Sequence, residues 1–268
     1  MTARRILIVG YGAIGRMLAD ALMRDDARQT VIAVLLKPGS PSLAALPCDL
    51  ETLTDADRIA AFAPDLVVEA AGHGAVRDVV PHCLALGLPT LLSSIGALHD
   101  DDLRGHLIGL ASAHGGRILL PSGALGALDY VRAARAAPDL SLAYESRKPP
   151  AAWTSELAAS GRDPAGLTEP ATLFAGRARQ AAAAYPQNLN VAAALALAGV
   201  GFDDMTVTVT CDPRAAGNTH LVRAESMFGT MEISIANAPS PDNPKTSWIV
   251  AHALLAAVDQ YFSPIQFL

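Results

Sequence analysis

The sequence is poor in cysteine and carries no excess of positive charge. Its three cysteines, Cys48, Cys83 and Cys211, lie far apart. Because their number is odd and their spacing fits neither a disulfide framework nor a set of metal ligands, we expect plain thiols in a reducing cytoplasm. The formal net charge is −6 at pH 7, and the lysines and arginines form no basic patch. This balance argues against nucleic acid or an anionic membrane surface as the main partner.

The sequence also lacks a long apolar run and several common catalytic motifs. Residues 180–202 form its longest uncharged stretch, but Pro186, Gln187, Asn188 and Asn190 interrupt it. Too few consecutive apolar residues therefore remain to span a bilayer. The patterns HExxH, GxSxG, GxxxxGKS and GxxxxGKT do not occur. We therefore expect no membrane span, no metal, no hydrolase nucleophile and no P-loop.

The N-terminal stretch is organised around three glycines. An apolar run over residues 5–9 leads into Gly10, Gly12 and Gly15, and a second apolar stretch follows over residues 16–22. The pattern predicts a buried strand, a tight turn at Gly10, a pyrophosphate near Gly12, and a helix packed closely at Gly15. The alternative is a glycine-rich turn in some other α/β sheet. The predicted cofactor-binding residues of this stretch are Gly10, Gly12, Ala13, Ile14 and Gly15.

Four further apolar segments repeat the pattern of a strand followed by a loop of small residues. They cover residues 30–36, 63–71, 89–97 and 117–124. Strands that alternate with helices predict an α/β fold, here a Rossmann-type doubly wound parallel sheet. The ligand of such a sheet lies outside the carboxyl ends of the strands.

Two of these loops carry further candidates for cofactor binding. Lys37 follows the second strand, where an NAD-selective site carries Asp or Glu to bind the ribose 2′-hydroxyl. A cation there tolerates or favours a 2′-phosphate, so we expect NAD or NADP; the alternative is a solvated loop lysine. Gly72 and His73 follow the third strand, and we expect backbone and cofactor contacts there rather than acid–base chemistry.

The pattern changes beyond about residue 124. Segments that alternate or run apolar, with turn signals between them, predict a second α+β domain on a mainly antiparallel sheet. These segments are residues 141–146, 206–211, 219–227 and 230–238. We also predict a helix over residues 170–184, because a proline stands near its first turn.

A last helix is predicted from Asn243 through Tyr261. Asn243 and Pro244 are typical of a helix N-cap followed by proline at the first helical position. We therefore expect three segments: a dinucleotide-binding domain over 1–123, a substrate and dimerisation domain over 124–242, and a C-terminal helix over 243–268 that packs between them.

Several polar residues of the second half are candidates for chemistry. His220 is a candidate base, because the unperturbed pKa of histidine allows proton transfer near neutral pH; a structural histidine is the alternative. The predicted helix start at residues 245–247 offers an ammonium and two hydroxyls to a substrate carboxylate, or is an ordinary cap. Arg147 and Lys148 could bind an acid, but a solvated pair is expected. The predicted substrate-binding residues are Asn188, Lys245, Thr246 and Ser247.

Taken together, these motifs resemble the L-aspartate dehydrogenase family. The likeness covers nearly the whole chain in order, and it rests on residues 10–15, 69–73, 121–124, 188–190, 218–220 and 243–247. It implies cofactor contacts at Ala124 and Asn190 and an active-site histidine at His220. It also implies use of both NAD and NADP, with which Lys37 is consistent.

The resemblance implies oxidation of L-aspartate to iminoaspartate, which water hydrolyses to oxaloacetate and ammonia. His220 would take the amine proton or activate the water. For the two substrate carboxylates we nominate residues 245–247 and His220 in its charged form. A homodimer and a place in NAD biosynthesis are implied in the same way. The alternatives are a homoserine dehydrogenase-like enzyme and an NAD(P)-binding regulatory protein without turnover.

Overall fold

The computed structural model of the protein describes residues 3–24, 29–48, 50–159, 161, 163, 166–185, 190–241 and 243–267, without the side chains of residues 243–245. The chain forms two compact units. The first unit is Met1–Pro121 with Ala251–Phe267, and the second is Ser122–Val250. Within the described ranges, no helix is long and apolar enough to cross a membrane.

Parallel strands form the sheet of the first unit. In the described residues they are β1 (Arg4–Val9), β2 (Thr30–Leu35), β3 (Glu51–Leu53), β4 (Leu66–Glu69), β5 (Pro89–Leu92) and β6 (Arg117–Leu119). Their order across the sheet is β3-β2-β1-β4-β5-β6. The order reverses beside β1, which places the ligand crevice of such a sheet at the carboxyl ends of β1 and β4. The predicted doubly wound parallel sheet is confirmed.

Helices alternate with these strands and continue into the second unit. They are α1 (Ala13–Met23), α2 (Ile59–Phe62), α3 (His73–Asp78), α4 (Val80–Ala85), α5 (Asp101–His114), α6 (Leu128–Ala134), α7 (Thr154–Ala159), α8 (Ala178–Ala184), α9 (Asn190–Ala198) and α10 (Ile249–Phe262). Short 3-10 turns cover Pro41–Ala45, Ala56–Arg58, Ile95–His99 and Pro150–Trp153.

Strand β1 is buried on both faces. Successive side chains of a strand point to opposite sides, and those of β1 enter two different core clusters. Ile6 and Ile8 belong to one core cluster, which includes Leu254 and Val258 of α10. Leu7 and Val9 belong to a second cluster with residues of α2 and α3. Each fully buried aliphatic side chain stabilises the fold by about 1.5–3 kcal/mol. The C-terminal helix is therefore part of the core of the first unit.

The second unit is built on a mixed sheet. Its strands in the described residues are β7 (Ser141–Lys148), β8 (Ala171–Arg177), β9 (Thr206–Cys211), β10 (Asn218–Ser226) and β11 (Gly229–Asn237). The order is β11-β10-β7-β9-β8, and only the β7–β9 pair is parallel. A separate pair joins β12 (Pro239–Ser240) to β13 (Asn243–Ser247). The predicted mainly antiparallel sheet is confirmed.

Two predicted helices begin later than expected. Asn243–Ser247 forms β13, which pairs with β12, and the last helix begins at Ile249. Ala171–Arg177 forms β8, which pairs with β9, and only Ala178–Ala184 is helical. Both predictions of the helix start were wrong for the same reason. The backbone N–H and C=O groups of each segment form hydrogen bonds with another strand instead of within a helix.

Candidate active site

The glycines after β1 have the geometry that a dinucleotide loop requires. Gly10 has φ +97°, and a Cβ added to it would lie 2.6 Å from the Cβ of Ala71. A Cβ at Gly15 would overlap the carbonyl oxygen of Gly10, so only glycine allows α1 to approach β1 there. A Cβ at Gly12 would meet no atom of the described chain within 4 Å. The backbone at Gly12, which caps α1, is therefore open to a ligand.

A cavity of about 610 Å³ lies beside this loop in the first unit. Its volume is typical of small-molecule sites, and its walls are mostly apolar, with a few polar side chains such as Lys37. Of the predicted cofactor residues in the described first unit, Gly10, Gly12, Lys37 and Gly72 line the cavity, and Ala13, Ile14, Gly15 and His73 do not. The open glycine backbone at the start of an 11-residue helix fits a pyrophosphate. The residues present therefore fit a nicotinamide dinucleotide.

Lys37 lies at the wall of this cavity, just beyond β2. Its Nζ is 3.2 Å from Oδ2 of Asp78, and both side chains are exposed. Ion pairs between exposed side chains contribute about 0–1 kcal/mol. The contact with Asp78 is therefore weak enough for Lys37 to turn toward a ligand phosphate.

The carboxylate of Glu69 organises the two loops that follow β4 and β5. Its Oε1 accepts from the backbone N–H groups of Ala71 and Gly72, at 2.8 and 2.7 Å, and from the hydroxyl of Ser94 at 2.9 Å. Its Oε2 accepts from the backbone N–H of Ser94 at 2.9 Å. The side chain is completely buried. Residue 69 lies in one of the motifs that carry the family resemblance, but no role was predicted for it, although a lone acid at the end of an apolar strand is a signal for one.

His220 lies on β10 in the second unit and is 2% exposed. Its Nδ1 is hydrogen-bonded to the hydroxyl of Tyr144 on β7 at 2.7 Å. Burial raises the pKa of the Tyr144 hydroxyl, so the hydroxyl stays protonated at neutral pH. The Nε2 of His220 is buried without a hydrogen-bond partner among the described residues. One nitrogen is thus held by the protein, and the other remains available for chemistry.

The surroundings of His220 favour its neutral form. Burial, and after it the charge of Lys148, lower the pKa of His220 to about 3. A neutral imidazole can accept a proton at Nε2 when its other nitrogen carries the ring proton. The same surroundings disfavour the charged form that the sequence analysis nominated as a carboxylate receptor.

This low pKa predicts a pH-dependent stability. An unfolded histidine titrates near 6.5, so between about pH 6.5 and pH 3 the unfolded chain binds a proton that the folded chain does not. The free energy of unfolding should therefore fall as the pH falls through this range, by up to about 1.4 kcal/mol per pH unit from this group. Urea unfolding at about pH 7.5 and about pH 5 measures the decrease. It should be smaller in His220→Gln, and equal decreases in both proteins would rule out this source.

Comparison with known proteins identifies the family. A family model described as "Aspartate dehydrogenase, C-terminal" matches residues 129–261. A second model, described as "Homoserine dehydrogenase, NAD binding domain", matches residues 10–121. L-aspartate dehydrogenase 2 of Bordetella pertussis is 46% identical over 259 residues, which cover 97% of each chain. The chain belongs to the L-aspartate dehydrogenase family.

A second relative agrees with this membership of the L-aspartate dehydrogenase family, and a solved structure shares the fold. L-aspartate dehydrogenase of Ruegeria pomeroyi is 39% identical, and the match covers 96% of this chain and 92% of that one. The crystal structure of aspartate dehydrogenase from Thermotoga maritima shares the fold, with a TM-score of 0.78, 24% identity and full coverage of both chains. The resemblance stated from the sequence motifs is confirmed.

The structure describes most of the residues to which the L-aspartate dehydrogenase resemblance assigned a role. Ala124 is buried, and its carbonyl oxygen accepts from Nδ2 of Asn237 at 3.0 Å. Asn190 is the first residue of α9. Asn188 lies outside the described residues. Of these residues, His220 lies in a buried polar cluster. No role was predicted from the sequence for Tyr144, which is hydrogen-bonded to it.

The predicted substrate receptor at residues 245–247 is not a helix start. The segment belongs to β13, so it lacks the helix N-terminus on which the prediction depended. Ser247 is buried, and its hydroxyl accepts from Nδ2 of Asn218 at 3.3 Å. Thr246 is half-buried. The side chain of Lys245 lies outside the described part of the chain.

Proposed function

We propose that the protein is an NAD(P)-dependent L-aspartate dehydrogenase. It oxidises L-aspartate to iminoaspartate, which water hydrolyses to oxaloacetate and ammonia. The full-length identity of 46% with an L-aspartate dehydrogenase carries this proposal. A glycine loop that fits a dinucleotide and a buried histidine with an unpartnered nitrogen support it.

NAD or NADP, held by the loop of Gly10, Gly12 and Gly15 at the start of α1, supplies the acceptor for the hydride of the substrate Cα. The N–H groups and the positive end of the α1 dipole bind the pyrophosphate. Gly72 follows β4 at the neighbouring strand end, where Glu69 fixes its N–H. Ala124 and Asn190 are proposed to contact the nicotinamide portion, following the family resemblance.

His220 is the proposed base. Hydride can leave Cα only after the substrate ammonium has lost a proton, and the unpartnered Nε2 of His220 is the proposed acceptor. This role requires that the bound substrate raises the pKa of His220 from about 3 toward the working pH. In the hydrolytic step the same nitrogen can activate the water that attacks the imine. The hydrogen bond between Tyr144 and Nδ1 fixes the ring orientation for either role.

The proposal extends to assembly and location. We assign cofactor binding to residues 1–123 and substrate binding to residues 124–242, with the mainly antiparallel sheet of the second unit as the surface of a homodimer. The free thiols of Cys48, Cys83 and Cys211 are consistent with a reducing cytoplasm. Iminoaspartate formed there would feed NAD biosynthesis, as in the family that the chain resembles.

A substrate panel tests the proposed function. Absorbance of the reduced nicotinamide is followed with the purified protein, NAD or NADP, and a set of amino acids. We expect turnover with L-aspartate and none with D-aspartate, L-glutamate or L-alanine. A preference for homoserine would instead establish a homoserine dehydrogenase-like enzyme. Tight cofactor binding without turnover in either direction would establish a regulatory protein.

Lys37 should set the preference between the two cofactors. Replacement by aspartate introduces an acceptor for the ribose 2′-hydroxyl and repels a 2′-phosphate. We expect Lys37→Asp to lower the ratio of kcat/KM for NADP to that for NAD by about 10- to 100-fold. Lys37→Gln, which removes only the charge, should give a smaller decrease. An unchanged ratio in both variants would show that Lys37 does not face the ribose.

A further inference from the structure

Two segments of the first unit meet at one end of the cavity beside the glycine loop. One is the loop after β2, where Lys37 lines the wall. The other is α3, from which Ala75 lines the wall together with Val79, whose N–H donates to the carbonyl oxygen of Ala75. Residues three and four positions apart lie on the same face of a helix. Asp78 therefore lies on the face of α3 that borders the cavity.

A tight turn fixes the backbone at Lys37. The N–H of Ser40 donates to the carbonyl oxygen of Lys37 at 3.1 Å, which closes a turn over residues 37–40 and brings its two ends together. Ser40 lines the same cavity as Lys37. The turn thus presents an ammonium and a hydroxyl, and both groups can donate hydrogen bonds to a phosphate.

Asp78 places a negative charge next to these donors. Its Oδ2 is 3.2 Å from Nζ of Lys37, and the side chains of Lys37 and Asp78 are 74% and 58% exposed. A contact this exposed is screened by salt and is readily exchanged. NADP carries a 2′-phosphate that needs the same ammonium, whereas NAD carries a hydroxyl there. Binding of NADP must therefore break the contact and leave Asp78 beside a phosphate, and binding of NAD requires neither.

We propose that Asp78 is a specificity-determining residue that lowers the affinity for NADP, because it competes with the 2′-phosphate for Lys37. A protein can discriminate between two ligands by an unfavourable contact with one as well as by a favourable contact with the other. Lys37 supplies the favourable contact with NADP, and Asp78 supplies the unfavourable one. The inference rests on the proposed function and deepens it, because it assigns the choice of cofactor to a pair of residues.

The test compares the affinities of the protein for NADPH and NADH, measured without substrate by titration of the fluorescence of the reduced nicotinamide. Asp78→Asn keeps the shape of the side chain and removes its charge. We expect it to lower the Kd of NADPH by about 3- to 10-fold, because no carboxylate then holds Lys37 or repels the phosphate. The Kd of NADH should stay unchanged. A loss of structure would raise both constants together, so their ratio distinguishes competition from a folding defect.

Asp101→Asn is the matched control. Asp101 lies on α5 of the same unit, pairs with Arg104 at 2.7 Å and is 56% exposed, but no described residue of α5 lines the cavity. The substitution changes the net charge by the same amount and should leave the ratio of the two Kd values unchanged. An unchanged ratio in Asp78→Asn would overturn the proposal, and so would a change of equal size in Asp101→Asn.

A double variant tests whether Asp78 acts through Lys37. The ammonium is absent in Lys37→Gln, so adding Asp78→Asn to this variant should lower the Kd of NADPH by a smaller factor than it does in the wild type. An equal factor in both backgrounds would show that the two residues act independently, and it would overturn the competition. High ionic strength should also reduce the effect of Asp78→Asn, because exposed charges are screened.

The inference and the proposed function can fail separately. Turnover of L-aspartate with an unchanged ratio of Kd values in Asp78→Asn would keep the enzyme and reject the role of Asp78. A shifted ratio in Asp78→Asn, without turnover of any amino acid by the wild type, would keep the role of Asp78 in cofactor choice and reject the dehydrogenase activity.

Discussion

Replacing His220 with alanine should lower kcat for L-aspartate oxidation by about 10²- to 10⁴-fold, the usual contribution of a positioned base. The side chain is the one imidazole of the buried cluster on β7 and β10, and its Nε2 faces no partner in the described chain. Steady-state kinetics with saturating NAD measure the loss. The Kd of NAD should not change, because the glycine loop that binds the pyrophosphate is intact.

Tyr144→Phe is the control for His220→Ala. It keeps the imidazole but removes the hydroxyl 2.7 Å from Nδ1. Because the ring then loses its anchor, kcat should fall by a smaller factor than in the alanine variant. Full activity in His220→Ala would keep the enzyme and reject His220 as its base. Equal losses in both variants would indicate that the hydrogen-bonded pair acts as one unit.

Gly10→Ala should destabilise the first unit by more than the addition of one methyl group at an exposed position would. The left-handed backbone at φ +97° costs an L residue about 1–2 kcal/mol. The new Cβ would also lie 2.6 Å from the Cβ of Ala71, and such overpacking costs about 1–3 kcal/mol. We expect the free energy of unfolding, measured in urea, to fall by about 2–5 kcal/mol.

Gly12→Ala separates folding from cofactor binding. Gly12 has φ −77°, and the added Cβ would meet no described atom within 4 Å. The free energy of unfolding should therefore stay within about 0.5 kcal/mol of the wild type. Gly12 lines the cavity in which the dinucleotide is proposed to bind, so an added Cβ should raise the Kd of NAD. If Gly12→Ala binds NAD normally, the loop does not approach the pyrophosphate as proposed.

The parts of the fold that the sequence predicted are those with strong local signals. Residues 4–9 form a buried strand and residues 13–23 a helix because the apolar period changes at the glycines. The alternation over residues 206–237 likewise predicted three strands that the structure contains. In each case the local pattern and the tertiary contacts favour the same element.

The parts that could not be predicted depend on distant partners. Asn243 and Pro244 have the local chemistry of a helix start, but pairing with Pro239–Ser240 makes their segment a strand. Ala171–Arg177 has no strong strand signal and becomes one by pairing with β9, through a register shift between Thr172 and Phe174. No local propensity contains this information.

The residues of the candidate site also divide into those that have a local sequence signal and those that depend on the tertiary structure. His220 was found because its motif is specific, whereas Lys148 was expected to be a solvated lysine. The sequence did contain a signal that Lys148 is buried. Side chains at alternate positions of a strand share one face, and Lys148 shares its face of β7 with the apolar Leu142 and with Tyr144. A polar residue in register with buried apolar ones is a candidate for the interior of a site.

The core of the first unit is made from both ends of the described chain, which bears on the order of events during synthesis. Leu254 and Val258, which belong to the same cluster as Ile6 and Ile8, emerge from the ribosome about 250 residues after them. Residues 122–250 are contiguous, and their sheet can form as soon as they have been made. The unit that is translated first is therefore the last to complete its core.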